Sequence, residues 1–246
     1  IKDAGITKTT KSEFGGKILR AKDGTATGMF IDNAMNLLSS LEPKLTPKRK
    51  RAAYIKGSEV YAARGWTGIQ SMSVNPADVS LIQELSDSGA LKIRVYNAVD
   101  MAGASSLLDA IAKSGPQTSD NGRVVTRAIK LYADGALGSR GAALLAPYAD
   151  DEGNTGLMLA KHDEIMPILK RALRDGVQVC IHAIGDKANR DVLDWYEEAF
   201  NAVPVSARKV ADPRWRIEHS QIISPSDIKR FADLGVIASM QPSHAI

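Results

Sequence analysis

The sequence predicts an α/β fold in which parallel βαβ units curve into a barrel-type sheet. Three observations predict it. Strand-like and helix-like segments alternate from about residue 48 onward. Each of the first five expected strands leads into a helix and then into another strand. Polar residues fall at the carboxyl ends of several apolar strands, where a barrel gathers side chains into one mouth. An open doubly wound sheet accepts the same alternation, but it asks for a phosphate-binding glycine loop after an early strand. "GGKILRAKDG", Gly15 to Gly24, has neither the GxGxxG spacing nor a strand before it.

Residues 1–47 read as a turn-rich hairpin or loop region that precedes the barrel units. "KRKRAAYIKGSEVYAARG" is a helix closed by Gly65, a glycine suited to the left-handed end of a helix. A strand near 66–73 follows, then a helix with Asn75 as cap and Pro76 at its first position. The next strand spans about 91–99, and "AGASSLLDAIAKSG" is the next helix. A strand near 124–134 opens a long glycine-rich loop, and the helix after it ends at Gly176 despite its interior Pro167. "VQVCIHAIGD" is a buried strand near 177–184, and Asp186 is placed to cap the helix after it. In that helix Ala188, Val192, Trp195, Tyr196 and Ala199 share one apolar face. "RWRIEHSQI" gives a strand near 214–221. Ser224 and Pro225 start a helix that Gly235 ends, and a sixth strand spans about 236–241.

Composition excludes several classes. With 246 residues, 44% hydrophobic and 24% charged, the chain can bury a sizeable core as a single domain over 1–246. The densest basic run, "PKLTPKRKR", lacks interleaved aromatics, and aromatics are only 5% of the chain. A solvated helix start is therefore expected there, and no nucleic-acid partner. A single cysteine, Cys180, rules out an internal disulfide framework. No apolar run reaches the length of a membrane span, so no membrane partner is expected. The chain begins with Ile1 and shows no secretory signal; a cytoplasmic location is the expectation.

The chemistry-bearing residues gather at the strand ends. Lys130 interrupts "AIKLYADG", His182 and His219 stand near the ends of their strands, and His244 follows the last one. Only His162 lies elsewhere, at a helix start, where solvent contact is the plain reading. Strand alternation puts Lys130, Tyr132 and Asp134 on one face. A lysine in an apolar strand is costly unless paired or altered. The bland account pairs Lys130 with Asp134 and treats the histidines as core residues. The sharper one starts from the ease with which a buried lysine loses its proton. A neutral amine adds carbon dioxide to give a carbamate, and imidazoles beside it suit zinc and similar divalent ions.

Three stretches, "AIKLYADGALGSRGAALLAPYADDEGNTG", "VCIHAIGDKANRDVLDWYEEA" and "RWRIEHSQIISPSDIKRFADLGVIASMQPSHA", resemble the amidohydrolase superfamily. The branch they resemble is the amidohydrolase 3 group of metal-dependent hydrolases, which includes N-substituted formamide deformylases. "GGKILRAKDGTATGMFIDNAMNLL" is similar to the segment that precedes the second barrel strand there.

The resemblance implies a (β/α)8 TIM barrel of the metal-dependent hydrolase type, here incomplete, with about six βα units corresponding to strands two to seven. It implies one or two divalent metals, zinc foremost, with Lys130 as a carboxylated ligand and His182 and His219 as imidazole ligands. His244, Asp134, Tyr132 and Asp186 would bind substrate or support the ligands. Two parts of the family pattern are missing. No two of the four histidines are two residues apart, so the first-strand His-x-His pair is absent. The eighth-strand aspartate that moves the proton has no counterpart either, and neither does the flanking β-sandwich. The implied function is metal-dependent hydrolysis of a carbon–nitrogen bond in a small non-peptide amide, an activity of the full-length parent. The rival is a catalytically incomplete barrel fragment that acts as a binding module or forms a homo-oligomer through its open sheet edges.

Overall fold

A computed structural model describes residues 1–245; Ile246, the last residue of the expected domain, lies outside the described residues. The chain opens with an antiparallel hairpin, β1 (Gly16–Arg20) and β2 (Ala26–Asp32). Gly24, at φ 86°, supplies the left-handed turn between them. A 3-10 helix over Asn33–Leu41 follows. This region carries its own small core of Ile6, Ala26, Phe30 and Ala34.

Helix α1 (Pro47–Ala63) starts on Thr46, whose side chain accepts from the Arg49 N–H, and the rigid ring of Pro47 opens its first turn. The basic run at its start is held by the next unit: Lys50 reaches Asp78 at 2.6 Å and Arg51 reaches Glu84 at 2.8 Å. Then come β3 (Gly68–Val74), α2 (Val79–Asp87), β4 (Arg94–Val99) and α3 (Ala104–Ser114). The two-residue β5 (Gln117–Thr118) pairs antiparallel with β6 (Val124–Tyr132); it is too short to carry a sequence signal. After a long loop follow α4 (His162–Asp175), β7 (Gln178–Ala183), α5 (Asp186–Ala202), β8 (Arg216–His219), α6 (Pro225–Leu234) and β9 (Ile237–Ser239). Helix α4 runs unbroken through Pro167, which lies on its exposed side.

The sheet order is β3-β4-β6-β7-β8-β9, every neighbouring pair parallel, so the six expected strands form one half-barrel with helices on its outside. Alternation splits each strand. Ile129, Leu131, Val179, Ile181 and Ile217 face the helices and merge with Leu169, Leu173, Val192 and Tyr196 into the main core. Small residues occupy the other, concave side, where Ala98, Ala128 and Cys180 pack with Met72 and Tyr96. The five residues of the predicted α5 face are all buried. Trp215 anchors this end: its indole N–H donates to the Val177 carbonyl at 3.1 Å, and its ring lies 4.9 Å from Tyr196. Among the described residues no helix is long and apolar enough to cross a membrane.

Candidate metal centre

The strand register lines up the candidate residues before any side chain is considered. Lys130 is level with Cys180 and Arg216, and one pleat further on Tyr132 is level with His182 and Glu218. Tyr132, His182 and Glu218 lie toward the carboxyl ends of their strands, while Arg216 opens β8.

Lys130 is only 3% exposed. Its ammonium donates to the Leu131 carbonyl at 3.1 Å and sits 3.9 Å from the centre of the Tyr132 ring. Burial lowers its pKa to about 8, and the Glu218, Cys180 and Asp134 charges oppose that fall. Lys130 and Asp134 form no ion pair among the described residues, because Asp134 is engaged elsewhere. Glu218, the carboxylate most strongly coupled to the lysine, is itself clamped by Arg216 through contacts of 2.7 and 2.9 Å. Arg216 also donates to Ser239 at 2.6 Å, joining β8 to β9 beneath the site.

Tyr132 roofs the lysine from the solvent side. Its ring centre is 5.6 Å from that of His182, and its hydroxyl bonds that of Ser73 across the sheet. The His182 and His219 rings meet edge-to-face at 4.7 Å. His219 reaches this place through its backbone. It pairs with Ala183, a residue of the helix-facing core, so regular alternation would turn it outward. A left-handed φ of 77° breaks the alternation and brings the ring to the concave side. Such a conformation costs a non-glycine residue about 1–3 kcal/mol. Ser220 (φ 45°) and Ser73 (φ 58°) are further left-handed residues bordering the site. His219 donates its Nδ1–H to Gln241 at 2.7 Å, which leaves Nε2 with a free lone pair. Burial lowers its pKa, so the neutral, ligating form is favoured. His182 points Nε2 at the Gly135 carbonyl, 3.3 Å away, which leaves Nδ1 as its free acceptor.

His244 joins the row, its ring 5.9 Å from that of His219. His162 does not: it is a surface residue bound to Glu198 at 2.7 Å and Asp163 at 3.0 Å, as its plain reading expected.

Asp134 is fully buried and accepts three backbone N–H groups: Ala143 at 2.9 Å, Ile184 at 2.9 Å and Gly185 at 2.8 Å. It thereby ties the loop after β6 to the end of β7, and His182 Nε2 lies 3.4 Å from its Oδ1. Gly185 has to be glycine here, since a Cβ would fall 1.8 Å from the Ala143 carbonyl oxygen. Asp186 departs from its expected capping role. Gly185 is the cap residue and Asp186 the first residue of α5, because its carboxylate is drawn to the loop and accepts from the Leu145 N–H at 2.9 Å.

The sequence reading missed Glu218, Arg216, Gln241, Ser73 and Asp32. The first two had a signal, opposite charges at i and i+2 that strand alternation puts on one face. The others sit where only the folded chain shows what they face. A cleft of about 1050 Å³ runs along β3 and β4, from Trp66 and Arg94 to Met72 and Tyr96, and its lining includes Gln241, the partner of His219.

The donor set fits a divalent ion: two imidazoles, each with one nitrogen free, and a buried amine primed to lose its proton. It is an open half-site, since among the described residues no three His, Cys, Asp or Glu side chains gather closely enough to hold a metal.

Comparison with known proteins bears on the family and the fold. A model of the amidohydrolase family matches residues 1–246. Protein LONG AFTER FAR-RED 3 of Arabidopsis thaliana is 31% identical over 100% of this chain and 43% of its own length. Putative amidohydrolase YtcJ of Bacillus subtilis is 27% identical over 97% of this chain, and N-substituted formamide deformylase of Arthrobacter pascens 26% over 98%; each is covered over 44% of its length. The chain thus spans less than half of the relatives it matches. Crystal structures of uncharacterized metal-dependent hydrolases from Pyrococcus furiosus and Pyrococcus horikoshii both align with a TM-score of 0.71 at 28% identity. They cover 85% and 92% of this chain, and 41% and 44% of theirs.

Proposed function

Because the chain belongs to the amidohydrolase family, we propose that it carries the ligand-bearing part of a metal-dependent hydrolase that cleaves carbon–nitrogen bonds in small non-peptide amides. The activity is that of the whole protein, of which relatives show more than this chain spans. The observation that carries the reading is the convergence of His182, His219 and the buried Lys130 on one rim of the half-barrel. His219 through Nε2, His182 through Nδ1 and Lys130 as a carbamate would hold the ion, with zinc the metal best suited to this mixed donor set. When bound, the ion supplies Lewis acidity toward a substrate carbonyl and makes water a stronger nucleophile at neutral pH. The relative whose name states an activity, the formamide deformylase, acts on that bond class.

The other residues prepare the ligands. Gln241 fixes the tautomer and ring plane of His219, and the Gly135 carbonyl does the same for His182. Burial lets Lys130 reach the neutral form that adds carbon dioxide, while Arg216 holds Glu218 away from full pairing with it. Tyr132 keeps bulk water off the amine. His244 stands at the outer end of the row, where a substrate would meet it.

The test is elemental analysis of chelator-free protein beside His219→Ala. Stoichiometric zinc or a similar metal in the wild type, and its loss in the variant, is the expected result. Unchanged metal content in the variant would sink the ligand assignment. No metal in folded wild-type protein would favour the rival reading, a binding or self-associating module.

A further inference from the structure

Helix α1 covers the sheet without filling the space beneath it. The residues it contributes to that space are Ala53, Tyr54, Gly57, Ser58 and Tyr61, spaced as one helix face. A surface helix usually lays an apolar stripe on its core, but α1 buries only Ser58 outright. The floor opposite is buried and aliphatic: Ile82 of α2, with Leu91, Ile93 and Val95 from β4 and the segment that leads into it. A pocket of about 120 Å³ is left between the two layers. Its wall is tied down, since the Tyr54 hydroxyl donates to Asp78 at 3.0 Å beside the Lys50 and Arg51 ion pairs. Gly57 widens it. The backbone there is not left-handed, and a Cβ would meet no atom within 4 Å. Ala53 and Tyr61 are exposed, so solvent reaches the pocket at that rim.

Among the described residues no charged side chain lines this pocket, so it offers nothing to an ion. Its polar groups are mostly engaged. The Ser58 hydroxyl donates to the Ile55 carbonyl at 2.8 Å and accepts the Lys92 N–H at 3.3 Å, and Tyr54 is held by Asp78. Ser71 is the inner hydroxyl left without a partner among the described residues, whereas a trapped water needs about two to four partners. An apolar cavity of about 150 Å³ stays dry and admits benzene or xenon. We propose that the space under α1 is a binding site for a small apolar molecule of one ring, seated between the helix and the floor of Ile82, Leu91 and Ile93. The floor belongs to the helix-facing core, so the sheet separates this site from the histidine row. The inference stands apart from the hydrolase reading. An occupant there would fasten α1 to β3 and β4, adding the packing contacts that its small side chains do not make.

Benzene is the probe, read by the melting temperature of the whole protein, and xenon in a pressurised crystal locates the site. At about ten times its Kd, benzene should raise the wild-type Tm by about 2–4 °C. Gly57→Leu brings a side chain to the mouth, and Ser71→Ile brings one to the inner wall. Each new residue suits its element, leucine a helix and isoleucine a strand. The benzene shift should fall below about 0.5 °C in at least one of these variants, and xenon should lie between α1 and Ile93 in wild type. No shift in wild type, a shift that survives in both variants, or xenon bound only elsewhere overturns the proposal. Should neither variant fold, the xenon position alone decides. A benzene shift that vanishes as protein concentration rises would make a second copy's side chain the occupant, and overturns the proposal as well.

Discussion

Replacing Lys130 with methionine tests what the buried amine costs the fold. Burial lowers the lysine from 10.5 to about 8 in the folded chain. At pH 7 both states hold the proton, and the folded state bears a penalty of about 3 kcal/mol relative to a solvated lysine. Methionine keeps the length and adapts to the space under Tyr132 without a charge. Glu218 does not lose its partner, because Arg216 holds it at 2.7 Å. Lys130→Met is therefore expected to be more stable than wild type by about 2–3 kcal/mol at pH 7, a shift in urea midpoint of about 1 M. The sign of the pH dependence follows from proton counts. Between pH 8 and 10.5 the unfolded chain binds more protons at this lysine than the folded chain, so wild-type stability rises through that window. The advantage of the variant should shrink below about 1 kcal/mol near pH 10. The assay is urea unfolding of both proteins, metal-free and in carbonate-depleted buffer, at pH 7 and pH 10. A variant less stable than wild type at pH 7, or an advantage that does not shrink at pH 10, would refute the reasoning.

Two other perturbations act away from the amine. Asp134→Ala leaves three buried N–H groups without their acceptor and should cost about 3 kcal/mol or more in urea unfolding, with weakened metal retention as His182 loses its frame. A cost within 1 kcal/mol would mean that the loop finds other acceptors. The pKa of His162 is raised by its bonds to Asp163 and Glu198, so its contribution is full below the unfolded value near 6.5 and is lost as pH rises through the folded one. His162→Gln should then melt below wild type at about pH 5.5 and match it by about pH 9. A gap that persists at the higher pH would show that packing, rather than charge, joins α4 to α5 there.

The elements legible in the sequence are those with strong local patterns. Alternation and glycine stops located all six parallel strands, and the polar interruptions at their ends singled out Lys130, His182 and His219. Capping did less well at Asp186, because a capping signal is local and the donor that wins the carboxylate, the Leu145 N–H, belongs to another segment. Asp32 could not be found this way at all. It ends an unremarkable strand, and what it faces is 103 and 109 residues further along the chain at Gly135 and Gly141. The left-handed turn of His219 was equally hidden, since alternation predicts the wrong face for it. Sequence periodicity reports which way a regular strand points, and sites tend to form where strands stop being regular.

The Asp134 clamp also sets a time scale. Loop amides usually exchange with solvent quickly, because their local opening is easy. The N–H groups of Ala143, Ile184 and Gly185 are loop amides by position, yet they converge on one fully buried carboxylate. They can open only when the loop after β6 leaves the end of β7, so their deuterium uptake should be as slow as that of the central strands. The rim that presents His182 then behaves as part of the rigid scaffold, and a ligand arriving there meets a surface already set in place rather than one that must be ordered on contact.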